Sequence, residues 1–157
     1  MKRTYLSFIV GDELYAVNVS KVLEVLEKQS IYRVPNAPVY IKGIINFRGD
    51  VVPVFETRDK FNLPLRDENT SYVIIVLDLS GENEKFRIGA VVDKVKDVLE
   101  IDDDQIKAVP VMSKEYKSEF LHGICKLQEK FILLLDVEKV FTGEELQQLS
   151  EVNSFKE

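Results

Sequence analysis

Apolar and β-branched residues fall in short runs along most of the chain, and turn-forming dipeptides separate them. The runs Thr4–Val10 and Glu13–Val19 flank Gly11-Asp12, a hairpin dipeptide. Val22–Leu26 follows, and then Val39–Phe47 and Val51–Phe55, parted by Gly49-Asp50. Further runs lie at Tyr72–Leu79, Phe86–Val92, Val95–Ile101, Leu121–Leu127 and Phe131–Val137. Gly81-Glu82-Asn83-Glu84 and Gln128-Glu129-Lys130 read as turns between them. The pattern predicts about ten short strands and a mainly β protein built as barrels.

Helical signals are scarce. Glu56–Phe61 predicts one short turn, and Thr142-Gly143-Glu144-Glu145 reads as a capping box that opens a helix over 142–157. Leu146, Leu149 and Val152 would share a face of that helix. Asp102-Asp103-Asp104 predicts a helical turn, with its carboxylates at the end the backbone dipole favours. A calcium loop over the same residues is excluded: Lys107 stands where that loop needs Gly, and Ser113 where it needs Glu.

The runs repeat in order. Lys21-Val22-Leu23-Glu24-Val25-Leu26-Glu27 matches Lys94-Val95-Lys96-Asp97-Val98-Leu99-Glu100 at an offset of 73. Val34-Pro35 recurs as Val109-Pro110 at 75, and Gly43 as Gly123 at 80. Each half thus carries strand, strand, Val-Pro loop, glycine-centred strand and hairpin, enough to close a small barrel and hide its edges. Two such barrels packed together leave a groove at their join.

Length and charge narrow the classes. The 157 residues suit one domain with its own core, and 45% apolar content suits a folded one. Residues 1–66 carry 10 Lys and Arg against 7 Asp and Glu, and 67–157 carry 11 against 20. The resulting net charge of −6 disfavours a nucleic-acid partner, and the division suits an oriented contact surface. No apolar stretch approaches a membrane span or the core of a signal peptide. The single cysteine, Cys125, fits a reducing cytoplasm.

Catalytic chemistry is not evident. The seven glycines form neither a dinucleotide fingerprint nor a phosphate loop. His122 and Cys125 are three apart, and on one strand they would point to opposite faces rather than form a dyad. No metal or cofactor site is expected. Binding features stand out more: Val17, Val19, Val22 and Val25 crowd one segment beside Glu24, more branched apolar groups than one small barrel can bury. Glu24 and Arg48 would form a cross-strand ion pair if their strands were neighbours.

These residues carry a resemblance. Phe8–Val17, Val22-Leu23-Glu24-Val25, Pro35-Asn36-Ala37-Pro38, Ile41–Gly49 and Val52-Pro53-Val54 resemble the CheW family of bacterial chemotaxis adaptors. Arg87–Asp93, Lys94–Leu99 and Pro110 continue the match. The resemblance implies a single domain over 1–157, made of two intertwined five-stranded SH3-like β-barrels with a short C-terminal helix. The subdomains would span 12–68 and 69–141, the second with an N-terminal strand contribution, followed by the tail 142–157. The implied role is non-enzymatic: coupling the cytoplasmic tips of chemoreceptors to the regulatory domain of the histidine kinase CheA and helping to build receptor arrays. The protein would be cytoplasmic, recruited to membrane-associated arrays, with no direct membrane insertion, and monomeric when free. Carried over by position, receptor contacts would fall on Val22, Glu24, Val25, Gly43, Arg48, Val73, Ile88 and Val98. Kinase contacts would fall on Ile41, Lys42 and Phe47, with a ring-closing contact at Met112.

Two departures from the family pattern carry expectations. Glu56-Thr57-Arg58 replaces the usual Asp-Leu-Arg, which would loosen the short helix that follows. Met112 replaces an aromatic of some members, which would weaken or re-tune ring closure. Three rivals remain: an adaptor of a CheA-like pathway with a non-flagellar output, a small enzyme or ligand-binding barrel using the groove and His122, and a self-assembling structural protein.

Overall fold

The computed structural model describes residues 1–67, 70–79, 86–109, 120–141 and 145. Among them are eleven strands: β1 (Lys2–Val10), β2 (Glu13–Asn18), β3 (Val22–Glu27), β4 (Ile41–Phe47), β5 (Asp50–Glu56), β6 (Val73–Asp78), β7 (Arg87–Val92), β8 (Lys94–Asp102), β9 (Ile106–Lys107), β10 (Leu121–Leu127) and β11 (Lys130–Leu135). One short helix, α1 (Thr57–Lys60), follows β5, and single 3₁₀ turns lie at Val19–Lys21, Asp103–Gln105 and Val137–Lys139. The Asp103–Gln105 turn is closed by a capping box between Asp102 and Gln105. The expected C-terminal helix falls, but for Glu145, outside the described residues.

The strands form two sheets, ordered β3-β6-β7-β5-β4 and β8-β1-β2-β11-β10-β9. The first has five strands as expected; the second has a sixth, the two-residue β9. Sheet membership does not follow a division at 68/69. Hairpin β1–β2 leaves its own repeat to join β8–β11, and hairpin β6–β7 leaves its own to join β3–β5. The chain is therefore intertwined by a reciprocal exchange of hairpins. The repeat is visible to a reader of the sequence, but the exchange is not, because either hairpin has the pattern to pair with either barrel.

Exchange explains why these hairpins are apolar on both faces. Alternate residues of a strand point to opposite sides. In β6, Ile74 and Val76 fill the interior of the first barrel with Ile45, Phe47, Val52, Val54 and Val91. Ile75 and Leu77 point the other way, into a larger core shared with Leu6, Phe8, Val10, Tyr15 and Val17 of the opposing hairpin. Tyr5 and Ala16 complete the pattern inside the second barrel with Ile101, Cys125, Ile132 and Leu134. Fully burying a Val, Ile or Phe contributes about 1.5–3 kcal/mol, so both hairpins are held on two sides at once.

The repeat persists in the tight places. A Cβ on Gly43 would stand 2.3 Å from the Tyr32 carbonyl oxygen, and one on Gly123 2.8 Å from that of Lys107. Tyr32 and Ile44 exchange two backbone hydrogen bonds of 2.8 Å, and β9 holds the equivalent place beside β10. Both glycines admit a close backbone crossing at the mouth of a barrel.

Candidate partner-binding surface

Each sheet ends in a strand with one open side: β3 in the first and β8 in the second. The two strands are the offset-73 repeat, and each carries a bulge at the same point. In β3 the register against β6 slips between Val22–Leu77 and Glu24–Val76, which inserts Leu23. In β8 it slips between Leu6–Val98 and Phe8–Val95, which sets Lys96 and Asp97 against Ser7. The buried Ser7 hydroxyl fastens this second bulge: it donates to the Asp97 carbonyl and accepts from the Asp97 amide, both at 2.9 Å. A bulge twists an edge strand and re-aims its side chains, which discourages strand-to-strand pairing and leaves side chains to make contacts.

Those side chains are apolar and acidic. Val25 and Val98 are 37% and 63% exposed, large values for valines in paired strands. Glu24 and Asp97 stand exposed before them, and Glu27 and Glu100 after them. Val22 and Val73 are half-buried at the margin of the shared core.

Other residues expected at the surface lie elsewhere. Ile88 has no exposed area and belongs to the core between the barrels. Gly43 is buried at the backbone crossing and presents no side chain. Ile41 and Phe47 are 7% and 2% exposed, because in alternating β4 they fall on the inward face, opposite the exposed Lys42. Met112 lies outside the described residues. Arg48 is not in a strand but at the β4–β5 turn, with φ +53°, and its guanidinium stacks over Phe47 at 4.7 Å. The expected Glu24–Arg48 pair is not formed, since β3 and β4 stand at opposite ends of their sheet.

A polar knot braces α1 against the start of β8. Arg66, with a side chain only 3% exposed, pairs with Glu56 and Asp93. Arg58 binds the Asp93 carboxylate at 2.7 Å, and the Gly11 amide donates to it at 2.8 Å. Burial alone would raise the Asp93 carboxyl. Hydrogen bonds from Arg58 and Gly11, with the charges of Arg66 and Arg58, outweigh burial and hold it below the ordinary carboxylate range. Thr57 completes the knot: it is 1% exposed and its hydroxyl donates to the Val91 carbonyl at 2.6 Å. The substitution expected to loosen α1 instead ties it to β7, a hydrogen bond replacing an apolar contact.

His122 and Cys125 lie on opposite faces of β10, the histidine exposed and the cysteine buried. His122 lines an outer cleft of about 380 Å³ with Arg3, Asp103, Ile106 and Lys107. Burial pushes the Cys125 thiol up. Ser7, Asp97 and Arg66 were missed in the sequence. Of these, only Asp97 had a usable signal, as the repeat partner of Glu24.

Two interlocked barrels with filled interiors and exposed side chains on bulged edges define a class: small binding modules that act through their surfaces. The chain belongs to the CheW-like domain family, whose model matches residues 4–145. It is 37% identical over 144 residues to the chemotaxis protein CheW of Klebsiella aerogenes, covering 90% of this chain and 83% of that one. It is 29% identical over 143 residues to CheW of Bacillus subtilis, covering 89% and 87%. The crystal structure of the scaffolding protein TtCheW from Thermoanaerobacter tengcongensis matches with a TM-score of 0.80 at 29% identity, over 92% of this chain and 97% of that one. No helix among the described residues is long and apolar enough to cross a membrane.

Proposed function

We propose that the protein is a chemotaxis adaptor that acts by binding alone, holding chemoreceptor tips and the regulatory domain of a CheA-type kinase in fixed relative geometry. The observation that carries this reading is the pair of exposed, repeat-equivalent valines, Val25 and Val98, each on a bulged edge strand beside a carboxylate. Exposed branched side chains flanked by acids suit the apolar stripe and basic margin of a partner helix. On this reading Val22, Val25, Val73 and Val98 meet the receptor, with Glu24 setting orientation. Kinase contact falls on the first barrel, where Lys42 is the exposed member of the expected set and Ile41 and Phe47 lie on the inward face of the same strand, while the exposed Arg48 belongs to the receptor contacts. Met112 makes the ring-closing contact. The protein works in the cytoplasm and gathers at receptor arrays.

Calorimetric titration of the full chain against the kinase regulatory domain tests the reading. Saturable one-to-one binding is expected, weakened by Lys42→Ala, whereas Arg48→Ala should lower receptor coupling. Val98→Glu should retain kinase binding and lose receptor-stimulated phosphorylation. Absence of kinase binding at tens of micromolar would overturn the reading.

A further inference from the structure

Equivalent positions of the two barrels face the same structural demands. A block of them that differs in chemistry therefore points to a task one barrel has and the other lacks. Such a block surrounds the β10–β11 hairpin. The strand pairing aligns it with β4–β5: Leu127 faces Lys130 where Phe47 faces Asp50, and Lys126 faces Phe131 where Asn46 faces Val51. The offset of 73 sets Lys96 against Leu23.

In the first barrel the equivalent positions, Leu23, Asn46, Asp50 and Val51, hold no lysine, and their one charged group is paired. Asp50 binds Arg87 at 3.3 Å, and Val51 is half-buried. In the second barrel three lysines and an aromatic ring replace those groups. Phe131 is 61% exposed, with the Lys126 ammonium 6.0 Å from its ring centre. Lys96 and Lys130 are both exposed, and Lys96, by hydrogen bonding and then by its charge, holds Lys130 below its ordinary value. None of the three lysines forms an ion pair among the described residues, although the chain is acidic overall and Glu129 sits in the adjoining turn. Two ammonium groups side by side repel; an anion placed between them turns that repulsion into two charge-assisted hydrogen bonds.

We propose that this rim docks an acidic segment of a partner protein, whose carboxylates sit between Lys96 and Lys130 while an apolar side chain covers Phe131. Three lysines are fewer than a polybasic lipid-binding cluster uses, and the net charge disfavours nucleic acid. The exposed ring gives a peptide an anchor that a bare anion lacks. This surface goes beyond the adaptor reading and does not depend on it.

The test is an NMR titration of the full ¹⁵N-labelled chain at low salt with the peptide acetyl-Asp-Glu-Phe-Asp-Glu-Leu-amide. Its Asn/Gln isostere and inorganic phosphate serve as comparison ligands. Shifts are expected at the amides of Lys96, Lys126, Lys130 and Phe131. Affinity should fall about tenfold in the Lys96→Gln/Lys130→Gln double variant, survive in the double arginine variant, and weaken in Phe131→Ser. All these side chains are exposed, and unchanged melting temperatures confirm that the variants fold. Equal binding of the neutral isostere, or no shift at these amides at millimolar peptide, would overturn the proposal. Phosphate binding as tight as the peptide's, indifferent to Phe131→Ser, would replace it with a bare anion seat. Self-association that depends on the lysines would replace the partner with a second copy of the chain.

Discussion

Val25 and Val98 occupy the same place in the two halves of the molecule, one on β3 and the other on β8, each exposed and each just past a bulge. Their equivalence is a consequence of the hairpin exchange. Each edge strand pairs with a hairpin from the other repeat, β3 with β6 and β8 with β1, so both edges are built the same way from different chain segments.

Because neither valine is buried, a charge there should disturb binding and leave the fold alone. Val25→Glu and Val98→Glu are each expected to change stability by no more than about 0.5 kcal/mol. Each should lower receptor-stimulated kinase phosphorylation, with the larger loss at the more exposed Val98. Thermal melts beside a reconstituted phosphorylation assay check both halves of this expectation.

Gly43 acts through the backbone. An alanine Cβ there would press on the Tyr32 carbonyl, so Gly43→Ala should cost about 1–3 kcal/mol. Hydrogen exchange should show faster loss of protection at the Tyr32 and Ile44 amides than elsewhere, because those two residues form the bridge that must open. Normal stability with impaired binding would instead mark Gly43 as a direct contact.

Thr57→Val keeps the shape of a buried side chain and removes its hydroxyl. The Val91 carbonyl then loses a donor at 2.6 Å, and a loss of about 1 kcal/mol is expected. Urea unfolding should show a lower midpoint with an unchanged slope.

The polar knot makes stability depend on acid. The Asp93 carboxyl lies lower in the folded chain than its ordinary value of 3.8, so its contribution is fully present above that value. It is lost as the pH falls further, through the folded value. Unfolding free energy measured from pH 6 downward should therefore drop below about pH 4 in the wild type. Asp93→Asn should be less stable at neutral pH by about 3 kcal/mol, since Arg66 is left with only Glu56. Its stability should also fall less steeply with acid.

Cys125 has no exposed area, and its thiol is pushed above the ordinary 9.0 by burial. A disulfide reagent at pH 8 should modify it only at the rate of unfolding, with denaturant accelerating the reaction.

Ten of the eleven strands were legible, because each is an alternating or continuous apolar run closed by a turn dipeptide. The exception, Ile106–Lys107, is too short for any period to register. Site residues fared differently. Ile41, Phe47 and Ile88 carry apolar side chains that suit a surface contact as well as a core, and only the facing of β4 and β7 shows that they point inward.

The sequence by itself determined the strands, the repeat and the family, since all of these are written in local period and order. Which hairpin joins which barrel was decided by tertiary structure. So were the exposure of Val98 but not Ile88, the anchoring of Thr57 by a hydroxyl, and the influence of Lys96 on Lys130. The physical reason is that local patterns establish which face of a strand is apolar. Partnership between segments far apart in the chain depends on long-range packing, where both exchanged hairpins are apolar on two faces and only the assembled core chooses between them.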